Sequence, residues 1–95
     1  PHLSRPSTNN QLAIRPNPFS QQAIIDYHLK SSGNLWIGLY NITGKIVKVL
    51  HNQTNSEVGN YQLLLSSDQL ESGAYWLTMR TQKEVLTKKL FLIRD

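Results

Sequence analysis

Apolar residues alternate with polar ones along several short segments of this chain, and this period of two constrains the fold most strongly. The alternation is clearest over residues 23–29, and it recurs over 35–39, 61–65 and 75–79. Successive side chains of a β-strand point to opposite faces, so each segment would turn its apolar residues toward one face of a sheet. Turn-forming clusters separate the segments, and no stretch sustains a helical stripe. The pattern therefore predicts an all-β domain, either a sandwich or a barrel.

Strand parity and turn residues predict about seven strands. The predicted strands cover residues 11–15, 23–30, 34–41, 45–51, 59–65, 73–81 and 84–93. Because proline has no backbone N–H, Pro16 and Pro18 would end the first strand or keep it at a sheet edge. Gly44 suits a turn position with positive φ, since it lacks a Cβ. Gly59 and Gly73 stand where the chain must bend sharply into the next strand.

The ends of the chain indicate how the domain is bounded. Residues 1–10 contain prolines, serines and asparagines with little to bury, which is typical of a linker. Residues 11–95 suffice for one small domain. The chain begins at Pro1, so we expect a fragment from the end of a larger protein. No apolar run approaches the roughly 18 residues that span a bilayer, so we expect no membrane insertion.

Composition and charge narrow the classes of function. The absence of cysteine excludes disulfide frameworks, thiolate metal sites and thiol nucleophiles. The net charge is +4 and the pI is about 9.6, with lysine and arginine concentrated toward the end. Neither a basic helix face nor a glycine–aromatic RNA-binding motif accompanies this charge. We therefore expect the charge to keep a sheet edge or face soluble, and we expect no nucleic-acid partner.

The residues that could support catalysis are few. Asp26 and His28 share a strand face two residues apart, but alternate residues on an outward face normally form a solvated polar stripe. The remaining residues supply no Ser/His/Asp order, phosphate-binding glycine loop or metal-ligand spacing. We therefore expect no enzyme activity, no cofactor and no metal.

The two tryptophans are candidates for a binding surface. By strand parity, Trp36 and Trp76 lie opposite the core faces of their strands, and Tyr40 shares the face of Trp36. An outward aromatic pair would serve as a sugar-stacking platform or a protein docking patch. The alternative is that a neighbouring loop or the N-terminal segment covers both rings.

A series of short motifs runs through residues 12–95. The motifs are Pro16-Asn17-Pro18-Phe19, Ile25-Asp26-Tyr27-His28-Leu29, Tyr40-Asn41-Ile42-Thr43-Gly44-Lys45-Ile46-Val47, Gly59-Asn60-Tyr61, Leu70-Glu71-Ser72-Gly73-Ala74-Tyr75 and Thr87-Lys88-Lys89-Leu90. In this order they resemble the type A C-terminal sorting domain of the type IX secretion system of Bacteroidetes. They resemble more loosely the immunoglobulin-like domain of flagellar hook-capping proteins. Asn41 stands where the family usually has Asp, and Asn serves the same turn role.

The resemblance implies both a fold and a function. The implied fold is an immunoglobulin-like antiparallel β-sandwich. Such domains end a secreted cargo protein and direct it from the periplasm across the outer membrane, after which a sortase-like peptidase commonly removes them and the cargo is attached to the surface. The implied partners are type IX secretion components, that peptidase and a cargo domain preceding this fragment, and the implied location is secreted or at the cell surface. Cleavage would fall next to residues 1–10.

The closing strand is the segment that the resemblance connects with recognition. Apolar residues fall on both of its faces, as in a strand that pairs centrally in the sandwich or in one that awaits a partner. The resemblance favours recognition by the secretion machinery, through Lys88, Lys89, Leu90, Phe91, Leu92 and Ile93. Two other functions stay open, an immunoglobulin-like spacer or a carbohydrate-binding module built on Trp36 and Trp76.

Overall fold

The computed structural model describes residues 9–94, and within them it confirms the predicted all-β fold. The seven strands are β1 (Gln11–Arg15), β2 (Gln22–Leu29), β3 (Gly33–Asn41), β4 (Ile46–Ser56), β5 (Gly59–Ser66), β6 (Gly73–Thr81) and β7 (Val85–Leu92). They form two antiparallel sheets, with the strand orders β1-β2-β5 and β4-β3-β6-β7. No helix occurs in the described range. The two sheets form the immunoglobulin-like sandwich that the resemblance implies.

The core lies between the sheets and is filled by the inward positions of the alternating segments. The largest fully buried side chains are Ile25, Leu29, Leu35, Ile37, Leu39, Leu65, Leu77, Met79, Leu90 and Leu92. Burying an aliphatic side chain of this size contributes about 1.5–3 kcal/mol. The residues that set the sequence period are therefore the ones that hold the two sheets together.

The strand β4 is longer than the sequence predicts. It continues to Ser56, whereas the prediction ended at residue 51. Its second half pairs with β3, with Asn52 opposite Trp36 and Ser56 opposite Gly33. Because β4 is an edge strand whose residues 52–55 are exposed, its backbone ladder forms without apolar side chains. Hydrophobic alternation therefore does not mark this half of the strand.

The hairpin between β3 and β4 is closed by Asn41 and Gly44. The Asn41 side-chain Oδ1 accepts hydrogen bonds from the backbone N–H groups of Thr43 and Lys45, both at 3.0 Å. Gly44 has φ of 89°, a conformation that costs a residue with a Cβ roughly 1 kcal/mol or more. Asparagine therefore performs the turn role that the family usually gives to aspartate.

Two tyrosines fasten the turns that lead into β5 and β6. The Tyr61 and Tyr75 hydroxyls each donate to the backbone carbonyl four residues earlier, at 2.6 Å and 2.5 Å. A glycine with positive φ, Gly59 or Gly73, lies two residues before each tyrosine. The bond made by Tyr75, at the start of β6, is the tyrosine corner of immunoglobulin-like sandwiches. This bond gives the Leu-x-x-Gly-x-Tyr motif a structural role.

The start of the domain includes part of the predicted linker. Asn10 is buried, and its side chain donates to Glu84 Oε1 at 2.6 Å and accepts from the Lys30 N–H at 2.8 Å. Asn10 therefore belongs to the folded body. Asn9 is exposed, and residues 1–8 of the predicted linker lie outside the described residues.

Candidate functional site

The closing strand β7 lies at the edge of the four-stranded sheet. Within the described part of the chain its antiparallel ladder is with β6. The interpretation that it pairs centrally in the sandwich is therefore wrong. Its inner face contributes to the core, while Phe91 on its outer face is 42% exposed. The apolar residues on both faces thus mark a strand that is covered on one side and open on the other.

The six predicted recognition residues divide into a buried and an exposed group. Leu90 and Leu92 are core residues, with 0% and 1% of their surface exposed. The other four face solvent: Lys88, Lys89, Phe91 and Ile93. A partner that meets the folded domain can therefore touch these four side chains, whereas the two leucines hold the strand in place.

Asn17 covers part of the outer edge of β7. Its Nδ2 donates to the Lys89 carbonyl at 3.1 Å, and its Oδ1 accepts from the Phe91 N–H at 3.0 Å. An edge strand presents a row of backbone groups without a strand partner. The Asn17 amide satisfies two of these groups, as a neighbouring strand would.

Phe19 continues this cover toward the chain end. Its N–H donates to the Phe91 carbonyl at 3.0 Å, and its own carbonyl accepts from the Ile93 N–H at 2.9 Å. Its side chain is buried in the core, with 2% exposure. Residues 17–19, here termed the edge clasp, thus anchor the second half of β7 through four hydrogen bonds and one buried ring.

The prolines lie on either side of Asn17. The strand β1 ends at Arg15, immediately before Pro16, and it is an edge strand of the three-stranded sheet. The Arg15–Pro16 and Asn17–Pro18 peptide bonds are both cis. The Pro16–Phe19 motif is therefore where the chain leaves one sheet and reaches the edge of the other.

Arg94 fastens the chain just beyond β7, a role that the sequence does not predict. Its Nη1 donates to the carbonyl oxygens of Ser67 at 3.0 Å and Leu70 at 2.7 Å. Its backbone N–H donates to Ser72 Oγ at 2.9 Å. Arg94 therefore ties the end of the chain to the loop between β5 and β6. In the sequence it is one more basic residue, and no local pattern distinguishes it from the solvent-facing lysines.

Trp76 and the terminal segment share the outer face of the four-stranded sheet. Trp76 pairs in register with Tyr40 on one side and with Lys89 on the other. The Lys89 ammonium lies 5.4 Å from the centroids of both the Trp76 and the Phe91 rings, within cation–π range. The structure therefore joins two sets of candidates, the aromatic residues and the terminal segment, in one surface.

Trp36 lies at the other end of this face and is half-buried. Its indole covers Gly38, where an added Cβ would come within 2.2 Å of the ring. The Tyr40 ring lies 5.9 Å away, and the Arg80 guanidinium carbon lies 5.0 Å from the indole centroid. Side chains and backbone of its own sheet therefore cover much of Trp36, while Trp76 remains 39% exposed.

The polar stripe predicted for Asp26 and His28 lies on the outer face of the three-stranded sheet. Asp26 accepts from Arg15 Nε at 2.9 Å and from Gln62 Nε2 at 2.8 Å. The Arg15 bond, assisted by that of Gln62, lowers the pKa of the Asp26 carboxyl below its ordinary value. His28 Nδ1 lies 2.7 Å from Asn60 Oδ1. The two side chains are thus engaged with different partners, and the expectation of no enzyme activity stays a prediction.

The described residues show neither a metal site nor a membrane-spanning helix. Among residues 9–94, no group of three or more His, Asp or Glu side chains is placed to hold a metal ion. In the same range no helix is long and apolar enough to cross a membrane.

Comparison with known proteins identifies the family. Residues 13–93 match the family described as "secretion system C-terminal sorting domain". Comparisons with curated proteins and with solved structures give no match. The matched range runs from β1 to the residue after β7 and includes the edge clasp and the outer face described above. The chain therefore belongs to the secretion system C-terminal sorting domains, and acts as a C-terminal sorting signal for type IX secretion.

Proposed function

We propose that this domain directs a cargo protein from the periplasm across the outer membrane through the type IX system. A sortase-like peptidase then removes the domain, and the cargo is attached to the cell surface. The family match over residues 13–93 carries the proposal, since it makes the protein a secreted or cell-surface one with its cargo on the N-terminal side. Passage through the periplasm, removal and attachment are the steps that the proposal adds.

The geometry of β7 supports recognition of the folded domain by side chains. A partner can bind an edge strand by adding a strand of its own, through main-chain hydrogen bonds. The edge clasp already occupies those groups at Lys89, Phe91 and Ile93. In this half of β7 the machinery therefore contacts the exposed side chains of Lys88, Lys89, Phe91 and Ile93.

Substitution tests this proposal better than truncation. A chain that stops before Lys88 loses the buried Leu90 and Leu92, so failure to export would not distinguish a lost signal from an unfolded domain. A reporter with its own signal peptide is instead joined to residues 1–95, unaltered or with the pair Lys88→Ser and Lys89→Ser. A matched control replaces two exposed lysines in turns, Lys45→Ser and Lys83→Ser.

The proposal predicts that the unaltered and control fusions deliver the reporter to the surface or medium, while the terminal pair leaves it in the periplasm. Thermal melting of the purified domains confirms that each variant is folded. Equal export of all three fusions would show that the terminal lysines are not the signal. An immunoglobulin-like spacer instead predicts that all three fusions, the unaltered one included, stay in the periplasm.

The removal step has its own measurement. Exposed polar segments are preferred sites of proteolysis, and residues 1–10 have the composition of one. We expect the mass of the surface reporter to lack residues 11–95. A surface reporter that retains the entire domain would contradict removal and leave the sorting step standing.

A further inference from the structure

The outer face of the four-stranded sheet carries a continuous row of exposed and half-exposed apolar groups. Ile46, Tyr40, Trp76 and Lys89 are register neighbours across β4, β3, β6 and β7. Ile46 is 52% exposed, and Phe91 lies beside the row on β7. This surface, here termed the outer platform, comprises Trp36, Tyr40, Trp76, Arg80, Lys89 and Phe91.

The charged side chains of the outer platform are both positive. Arg80 lies over the Trp36 ring and Lys89 over the Trp76 ring. Arg80 and Trp76 are four residues apart along β6, which separates the two cationic sites by roughly 13 Å. The carboxylates of the described residues lie on the other sheet or in loops and turns: Asp26, Glu57, Asp68, Glu71 and Glu84. The platform therefore complements a surface that places acidic groups about an apolar centre.

The composition of the platform favours a protein over a carbohydrate as its ligand. Tryptophan, tyrosine, phenylalanine and arginine are enriched at protein interfaces, and tryptophan, tyrosine and arginine are enriched at their energetic hot spots. Ile46, Val49 and Val85 border the platform with about half of their surfaces exposed, and such aliphatic groups bury best against other apolar side chains. A sugar site needs polar groups that fix the hydroxyls. The Asn52 amide lies opposite Trp36, whereas the strand partners of Trp76 are Tyr40 and Lys89, which carry no amide or carboxylate.

We infer that the surface recognised during sorting extends from β7 across the outer platform, and that it fits a protein partner with an apolar centre flanked by carboxylates. This inference rests on the proposed function, because it concerns the same recognition event. It adds residues of β3 and β6 to those of the terminal segment. Trp76 supplies the central apolar contact, and Arg80 and Lys89 pair with the partner's carboxylates.

The test alters β6 and leaves the terminal strand unchanged. The reporter fusion to residues 1–95 carries Trp76→Ala or Arg80→Glu. The matched controls are Leu64→Ala, an exposed apolar residue on the other sheet, and Lys83→Glu, an exposed basic residue in a turn. Since truncating a hot-spot residue weakens binding by about tenfold or more, we expect about tenfold less surface reporter for each β6 variant. The controls should stay within about twofold of the unaltered domain.

Three further variants separate loss of a contact from loss of the fold. Arg80→Lys retains the charge and should recover part of the export that Arg80→Glu loses. If the alanine or glutamate variant melts below the assay temperature, Trp76→Leu and Arg80→Gln take their places and carry the same expectation.

The outcomes separate this inference from the function on which it rests. Normal export of both β6 variants together with the unaltered domain would overturn the inference and leave the sorting function in place. Retention of the unaltered domain in the periplasm would overturn both. In the alternative outcome, the host's purified surface polysaccharide quenches tryptophan fluorescence in the unaltered domain and not in Trp76→Ala. That result would show that the ligand is a carbohydrate, and it would overturn the inference of a protein partner.

Discussion

Replacing Asn17 with alanine removes the two side-chain hydrogen bonds that cover the edge of β7. The Lys89 carbonyl and the Phe91 N–H then lose partners at 3.1 Å and 3.0 Å. The neighbouring pair of bonds made by the Phe19 backbone stays in place. The substitution therefore isolates the contribution of one side chain of the edge clasp.

The number and exposure of the lost hydrogen bonds set the expected loss of unfolding free energy. One hydrogen bond contributes about 0.5–1.5 kcal/mol net, so two contribute about 1–3 kcal/mol. Both bonds are exposed, and water replaces part of what is lost. We therefore expect Asn17→Ala to lower the free energy of unfolding by about 1.5 kcal/mol, and Tm by about 6–12 °C in a domain of this size. Asn17→Asp keeps the acceptor but sets a carboxylate oxygen against the Lys89 carbonyl oxygen, so it should cost at least as much as Asn17→Ala.

Urea unfolding followed by tryptophan fluorescence measures this loss. Asn55→Ala is the matched control, because Asn55 is an exposed asparagine on the other edge strand of the same sheet. Hydrogen exchange adds a local test, in which the Phe91 amide of Asn17→Ala loses protection while the Ile93 amide keeps it. If Asn17→Ala and Asn55→Ala were equally stable, or if the Phe91 amide stayed protected, the edge clasp would not hold β7.

Three further predictions concern the core and the titrating groups. Gly38→Ala should cost about 1–3 kcal/mol and shift the tryptophan emission, because the new methyl group displaces the Trp36 ring; unchanged emission would contradict the contact. Phe19→Ala should cost about 3–5 kcal/mol in urea unfolding, since the ring is 2% exposed, and a cost below about 1 kcal/mol would place it outside the core. Burial lowers the pKa of His51 below 6.5, so its folded form resists protonation and stability should decline as the pH falls below about 6.5. His51→Gln should flatten that part of the pH–stability curve, and an unchanged slope would contradict the assignment.

Much of the fold could be predicted because the residues that produce the sequence period are also the residues that form the core. The segment from Ala23 to Leu29 alternates in sequence and in burial, and its even and odd residues face the two sides of β2 as expected. The turn at Asn41 and Gly44 was also predictable, since both residues act through local backbone geometry. Local rules succeed wherever the residues that determine a feature are close in sequence.

The features that escaped prediction depend on contacts between distant segments. Asn17 and Lys89 are 72 residues apart, and an asparagine between two prolines looks like an ordinary turn residue until the second sheet is in place. Arg94 is equally indistinct in sequence because its acceptors are backbone carbonyls, which carry no side-chain pattern. The edge position of β7 was hidden because exposed apolar residues on an outer face give the same pattern as a strand buried on both sides.

The sequence predicted the members of the candidate site separately, and only the folded structure shows that they are neighbours. Parity indicated that Trp36 and Trp76 face outward, and the resemblance indicated the terminal segment. That Trp76 and Lys89 are direct neighbours follows from the pairing of β6 with β7, which no local pattern specifies. The burial of Leu90 and Leu92 likewise separates residues that stabilise the strand from those that a partner can reach.

The sorting function requires that export depend on the type IX system. The reporter fused to the unaltered residues 1–95 is produced in a Bacteroidetes host and in the same host without its type IX outer-membrane channel. A type IX sorting signal places the reporter at the surface or in the medium of the first strain and in the periplasm of the second. Release that is equal in both strains, or retention in both, would contradict it.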